Sequence, residues 1–310
     1  MTTLPQAYED FMITVKQEIL NYLGVDYHIE FKHIIKNNGI ILDGILIRNE
    51  EERVCPTIYL NPYYDKYCKG TSLREVVEEI LSAYEGSCDE SRELELNFKY
   101  DFEEMKELIT FLLVNYEKNH LLLTTVPHLR LFDLAITFHC IIRMDGDGIG
   151  SVRITNEHCQ NWKVEKKELF ELAMVNTQRL FPAVLRPMEE VVFDLIGQQE
   201  MLEMDQEELH GASNMYVLTN EKGINGASCI LYPNILKDFH KRLGMDYFIL
   251  PSSIHEVILV PENRSRNEES RVSLEQLENM VREINETQVA TEDVLSNRVY
   301  SYPLIQDKLE

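Results

Sequence analysis

The chain is short of cations, of flexible linkers and of paired cysteines, and each shortage removes a class of function. Lys and Arg number 30 against 53 Asp and Glu, a formal net charge of -23. A surface of that sign repels phosphate backbones and anionic headgroups, so direct nucleic-acid binding and membrane-surface binding are not expected. No run reaches the roughly 18 apolar residues of a membrane span. The opening MTTLPQAYEDF has neither a basic nor an apolar leader region, and a cytoplasmic protein is expected. Six cysteines, at positions 55, 68, 88, 140, 159 and 229, contain no C-x-x-C pair. Reduced, mainly buried thiols are therefore expected in place of a disulfide framework or a structural zinc site.

Signatures of chemistry are missing as well. The chain holds no G-x-G-x-x-G or G-x-x-x-x-G-K-[ST] phosphate cradle, no G-x-S-x-G elbow and no H-E-x-x-H pair. No cofactor and no metal are expected. With 44% hydrophobic and 27% charged residues, and only 13 Gly and 10 Pro in 310 positions, the composition is that of a globular protein without low-complexity segments.

The periodicities predict an α+β class: consecutive units of antiparallel sheet with helices on one face, at 1–90, 91–186 and 187–310. In the first, an amphipathic helix over 5–23 precedes strands at 28–35, 40–47 and 54–60, the first two joined by an Asn37-Asn38-Gly39 turn that favours type I′. Ser72-Leu73-Arg74-Glu75 is a capping box opening the next helix, and the polar 86–96 segment is a boundary. In the second unit, Asp101 and Glu104 cap a helix carrying Phe102, Met105, Leu108, Ile109, Leu112, Leu113 and Tyr116 inward. Strands at 121–126, 131–142 and 151–155 and a helix at 165–180 complete a weak duplication of the first order. Asp145-Gly-Asp147-Gly reads as a hairpin turn, because the flanks are strand-like and Asn156 stands where a calcium loop needs Glu.

Pro187 opens the third unit's helix, with Glu189 and Glu190 in its first turn, and no Lys or Arg occurs from Glu189 to Glu208. The most strongly patterned stretch is 215–261, read as strands at 216–219 and 227–232, a helix closed by Gly244, and strands at 247–250 and 257–260. Ser273 and Gln276 cap a further helix, and the tail is expected to dock through Tyr300, Tyr302 and Leu304.

Two places carry reactive residue types. Ser252-Ser253-Ile254-His255-Glu256 has the members of a hydrolytic triad. On a strand, however, Ser253 and His255 would stand roughly 6.5 to 7 Å apart with Glu256 on the opposite face, which favours a structural Pro-Ser turn. Asn156, His158 and Cys159, with His139 and Cys140, offer metal-ligand types at no recognised metal spacing. Ser252, Ser253, His255 and Glu256, beside Asn156 and His158, are the residues where a site is expected if one exists.

Tyr59-Leu-Asn-Pro-Tyr-Tyr64, Phe132-Asp-Leu-Ala135, Asn156-Glu-His-Cys159 with Trp162, Asn176-Thr177, Tyr216-Val-Leu-Thr-Asn220 with Gly226-Ala227, and Leu250-Pro-Ser-Ser-Ile-His-Glu-Val257 resemble a bacterial protein family of unknown function. The resemblance implies a bacterial cytoplasmic protein and brings no catalytic residues with it. The expected function is non-catalytic binding or regulation, with a protein or small-molecule partner. The alternatives are a hydrolase or metal-dependent enzyme using the Ser253/His255/Glu256 region, and an acidic inhibitor that mimics DNA.

Overall fold

A computed structural model describes residues 6–24, 26–49, 57–97, 101–145, 148–201, 215–262 and 273–309. The chain divides into two compact units, Met1–Tyr100 and Asp101–Glu310, each an α+β arrangement of antiparallel sheet and helices.

In the first unit, helix α1 (Gln6–Leu23) buries Tyr8, Phe11, Met12, Val15 and Ile19, the face its periodicity requires. Strands β1 (Tyr27–Ile35), β2 (Ile41–Asn49) and β3 (Thr57–Tyr59) form a three-stranded sheet in that order. The turn between β1 and β2 has Asn38 at φ 58° and Gly39 at φ 72°, the paired positive values of the expected type I′ geometry. Helix α2 (Asn61–Cys68) follows, unforeseen in the sequence, and then α3 (Leu73–Asn97). Ser72 and Glu75 exchange hydrogen bonds at its start: the Glu75 amide donates to the Ser72 hydroxyl and the Ser72 amide to the Glu75 carboxylate. That contact holds the Glu75 carboxyl below its usual range. The polar 86–96 segment expected as a boundary is instead the continuation of α3, because nothing in it breaks a helix once the backbone is running.

The second unit spans the expected 186/187 boundary. One hydrophobic core contains Phe111, Phe138 and Leu169 from one side of that position and Leu218, Ile249 and Ile305 from the other. Each side chain buried to this degree contributes about 1.5 to 3 kcal/mol.

Its first sheet is built on the twelve-residue strand β6 (Leu134–Asp145). Strand β4 (Ile109–Asn115) pairs along one edge of β6, and β5 (His128–Leu131) and β7 (Gly148–Arg153) succeed one another along the other. Asp145 pairs with Gly148 at the end of the antiparallel β6 and β7; Gly146 and Asp147, on which the expected turn falls, lie outside the described residues. The helix expected from Phe102 to Tyr116 stops after one turn, α4 (Phe102–Met105), and β4 takes its second half. Six of the seven β4 residues are buried, and a strand covered on both faces loses the alternation that separates it from a helix. Residues 121–126, expected as a strand, form the short helix α5 (His120–Leu123) and a turn. The duplication of the first unit's order is therefore absent, with four strands here against three there.

Helices α6 (Asn156–Trp162) and α7 (Lys166–Leu180) follow. Helix α7 carries Asn176 and Thr177, which lock the otherwise open edge of β4. The Asn176 amide donates to the carbonyls of Lys106 and Ile109, and the Phe111 amide donates to the Thr177 hydroxyl.

The second sheet has five strands in the order β12 (Tyr300–Ser301), β10 (Tyr247–Leu250), β11 (Val257–Pro261), β9 (Tyr216–Asn220) and β8 (Ala183–Pro187). Strand β8 (Ala183–Pro187), absent from the sequence reading, leads into α8 (Met188–Met201), which has Glu189 and Glu190 in its first turn as expected. Strand β9 (Tyr216–Asn220) lies between β8 and β11 (Val257–Pro261), so both of its edges are occupied. That occupancy displaces the strand expected at 227–232, and residues Gly226–Leu231 form a fully buried 3-10 helix instead. Helix α9 (Ile235–Leu243) ends at Gly244 with φ 73°, the left-handed cap anticipated there. Strand β10 (Tyr247–Leu250), α10 (Leu274–Thr287) with its Ser273–Gln276 capping box, β12 (Tyr300–Ser301) and α11 (Tyr302–Leu309) complete the unit. The tail docks through Tyr300, Tyr302 and Ile305; Leu304, expected inward, is 48% exposed.

Candidate functional site

Residues 251–256 join β10 to β11 as a loop, not as a strand, with a single bridge from Ser253 to Val294. Strand alternation therefore does not apply, and Ser253, His255 and Glu256 all line one open groove of about 410 Å³, together with Gly223, Gln288 and Asp293. The loop is fastened on two sides. The amides of Leu295 and Ser296 donate to the carbonyls of Ser252 and Pro251, and the Ile254 amide donates to the Asp293 carbonyl. On the other side, the Ala227 amide donates to the Ile254 carbonyl, and the Thr219 hydroxyl donates to the His255 carbonyl at 2.8 Å.

The groove holds part of a triad geometry and lacks the part that matters. His255 Nε2 lies 3.3 Å from Asp293 Oδ1. The Asn225 backbone amide donates to His255 Nδ1 at 3.3 Å, which leaves Nε2 on the side of Asp293. The Ser253 hydroxyl oxygen is only 3.0 Å from His255, but from its backbone amide, and Ser253 is 5% exposed. With both ring nitrogens committed, no base is directed at Ser253 Oγ. The residues are held close, as sequence spacing alone did not allow, in an arrangement that makes a turn and a latch.

Asn156 and His158 are structural. Thr155 caps α6: its hydroxyl accepts from the His158 amide, and its own amide donates to His158 Nδ1 at 3.1 Å. The His158 ring stacks on Trp162, and the Asn156 side chain donates to the Thr124 carbonyl. Neither residue lines the groove. Cys159 is half-buried, and burial raises its thiol pKa; burial pushes Cys140 and Cys229 up to about 12. Among the described residues, no three His, Cys, Asp or Glu side chains are grouped to hold a metal ion. In the acidic run, Arg186 meets Glu190 at 3.5 Å and Asp194 at 2.6 Å, so its described part is not of one sign in space. Residues 202–208 of that run lie outside the described residues.

A second recess, which sequence reasoning missed, lies behind Asn225. It is a partly enclosed cavity of about 90 Å³ whose walls include Phe111, Ile141 and Phe181 and whose polar lining includes His139, Ser151 and Asn225. His139 is 9% exposed, and burial, with the charge of Arg153 as a lesser cause, lowers its imidazole pKa from 6.5 to about 3. The unfolded chain then binds more protons than the folded one between those values, so stability falls as pH drops below 6.5. The loss contributed by this group is about 2 kcal/mol at about pH 5. Urea denaturation of the wild type and of His139→Gln near neutrality and at about pH 5 measures it. The variant should lose less than the wild type by that amount, and equal losses would remove His139 as the cause.

No curated protein and no solved structure matches the chain. Among the described residues, no helix is long and apolar enough to cross a membrane. The motifs that resembled a family map onto this frame: Asn176-Thr177 on α7 against the edge of β4, Gly226-Ala227 on the 3-10 helix and Leu250–Val257 around the groove. With residues 8–303 matched, the chain belongs to a family of unknown function (DUF5688).

Proposed function

We propose that this is a non-catalytic binding protein whose second unit contacts a ligand bearing a cationic nitrogen at the groove beside His255. The observation that carries the reading is the commitment of His255. Its two ring nitrogens are used by Asn225 and Asp293, which leaves recognition in the groove to the carboxylates Glu256 and Asp293. The net charge of -23 draws cationic ligands toward that recess and disfavours nucleic acid. The free thiols Cys68, Cys140, Cys159 and Cys229 accord with a reducing bacterial cytoplasm as the setting.

Calorimetric titration with agmatine tests the reading. Glu256→Gln/Asp293→Asn should weaken binding at least about ten-fold, whereas Glu168→Gln/Glu171→Gln, exposed carboxylates on α7, should leave it unchanged. Equal loss in both variants would reduce the effect to non-specific charge. In the same preparations, Ser253→Ala and His255→Ala should not alter background hydrolysis of p-nitrophenyl acetate; loss of turnover in both would restore the hydrolase.

A further inference from the structure

The cavity behind Asn225 has an origin independent of the groove. It is framed by β4, β6, β7, the C-terminal end of α7 and the 220–225 segment, all within the second unit. Most of its polar lining is consumed by the fold. The Thr110 hydroxyl donates to the His139 carbonyl, the Thr177 hydroxyl to the Ala173 carbonyl, and the Tyr232 hydroxyl to the Phe181 carbonyl. Asn220 is spent on its own turn, accepting from the Lys222 amide and donating to the Ile224 carbonyl.

Three groups are not consumed. The His139 imidazole, the Ser151 hydroxyl and the Asn225 carboxamide line the cavity and make no side-chain hydrogen bond to the described residues. His139 is more than nine-tenths buried, and its ring nitrogens, which are not among the sealed unpartnered polar atoms, remain accessible to a small molecule. The same lining contains no Asp, Glu, Lys or Arg. Burial keeps the imidazole neutral, so His139 offers one donor and one acceptor.

We propose that this cavity is a binding site for a small, neutral, planar nitrogen heterocycle that carries a ring N–H beside a carbonyl or a second ring nitrogen. The walls of Phe111, Ile141 and Phe181 take the faces of the ring. His139, Ser151 and Asn225 each supply a donor and an acceptor for its polar edge. Charged groups are disfavoured, because no lining side chain is charged and Arg153, whose charge acts on His139, stands outside the lining. The volume of about 90 Å³ is below the roughly 150 Å³ of an engineered cavity that takes benzene, so the recess takes the polar edge of a six-membered ring and the rest of the ring extends through its open side.

The probe is 2-pyridone, in saturation-transfer NMR and thermal-shift measurements on the full chain, with benzoate, benzylamine and toluene as comparisons. 2-Pyridone should bind and raise the melting temperature, and benzoate and benzylamine should do neither. Ser151→Leu, which replaces the hydroxyl at the exposed rim of the recess with bulk, should weaken 2-pyridone at least ten-fold. Asn225→Ala, which adds no bulk, should weaken 2-pyridone by a similar factor and leave toluene unchanged, and it serves if Ser151→Leu does not fold. Glu256→Gln/Asp293→Asn should leave 2-pyridone binding intact, which separates this site from the groove. Absence of 2-pyridone binding at millimolar concentration, equal binding of the charged rings, or undiminished binding in Asn225→Ala would overturn the proposal.

Discussion

Gly226→Ala is expected to destabilise the second unit by at least about 3 kcal/mol, the upper range of overpacking effects. A Cβ at this position would lie 2.5 Å from the His255 carbonyl oxygen and 2.8 Å from the Asn220 amide nitrogen, and would also collide with the Thr219 hydroxyl. Two of those neighbours are backbone atoms that cannot rotate away. The hydroxyl is itself tied to the His255 carbonyl. The closeness has a purpose in the fold: Gly226 starts the buried 3-10 helix where the loop carrying His255 crosses the end of β9. Pushing the two segments apart would lengthen the hydrogen bond from the Asn225 amide to His255 Nδ1. Urea denaturation measures the stability, and the imidazole NMR shifts of His255 report the latch. Adding Thr219→Ala removes one of the three collisions and should restore less than half of the loss. Full recovery in the double variant would show that the backbone contacts yield.

The second large effect is expected in the first unit. His33 on β1 and Asp43 on β2 are cross-strand partners, with Nδ1 and Oδ1 2.5 Å apart. Asp43 is 3% exposed, while the His33 side chain is 65% exposed. The carboxylate is buried beside the Tyr8 hydroxyl, whose pKa is raised by burial first and by Asp43 second. His33→Leu would remove the hydrogen-bond partner of that carboxylate and should cost about 1.5 to 3 kcal/mol, the range for a hydrogen bond to a charged group. Asp43→Asn should cost about 1 kcal/mol, since an amide still bonds without needing a countercharge. Combined with His33→Leu, it should cost less than the two losses added. Hydrogen exchange of the β1 and β2 amides localises the change. Additive losses, or unchanged protection in His33→Leu, would show that Asp43 does not depend on His33.

Local signals in the chain were reliable where neighbouring residues settle the matter between them. The Asn38-Gly39 turn, the Ser72 and Ser273 capping boxes and the Gly244 cap each rest on a few adjacent residues whose geometry is complete within one turn of chain. The amphipathic face of α1 was legible for the same reason, since solvent covers its other side. The failures fall where a segment is enclosed. Residues 109–115 are buried on both faces, and residues 226–231 are buried throughout, so neither carries the polar punctuation that distinguishes one period from another. Of the residues expected at a site, Ser253, His255 and Glu256 came together with Asp293, which lies 38 positions beyond His255. His139, Ser151 and Asn225 gave no joint signal, because they stand up to 86 positions apart in the chain.

By itself, then, the amino-acid order determined the α+β class, the Asn38-Gly39 hairpin, the caps at Ser72, Ser273 and Gly244 and a formal net charge of -23, because these depend on composition and on contacts between near neighbours. Only the tertiary structure decided that residues 101–310 share one unit, that β9 has no edge left for the 227–232 segment, and that His255 is latched between Asn225 and Asp293. Those outcomes turn on which sheet edges are already occupied and which buried polar groups still lack a partner, and both are settled by residues far apart in the chain.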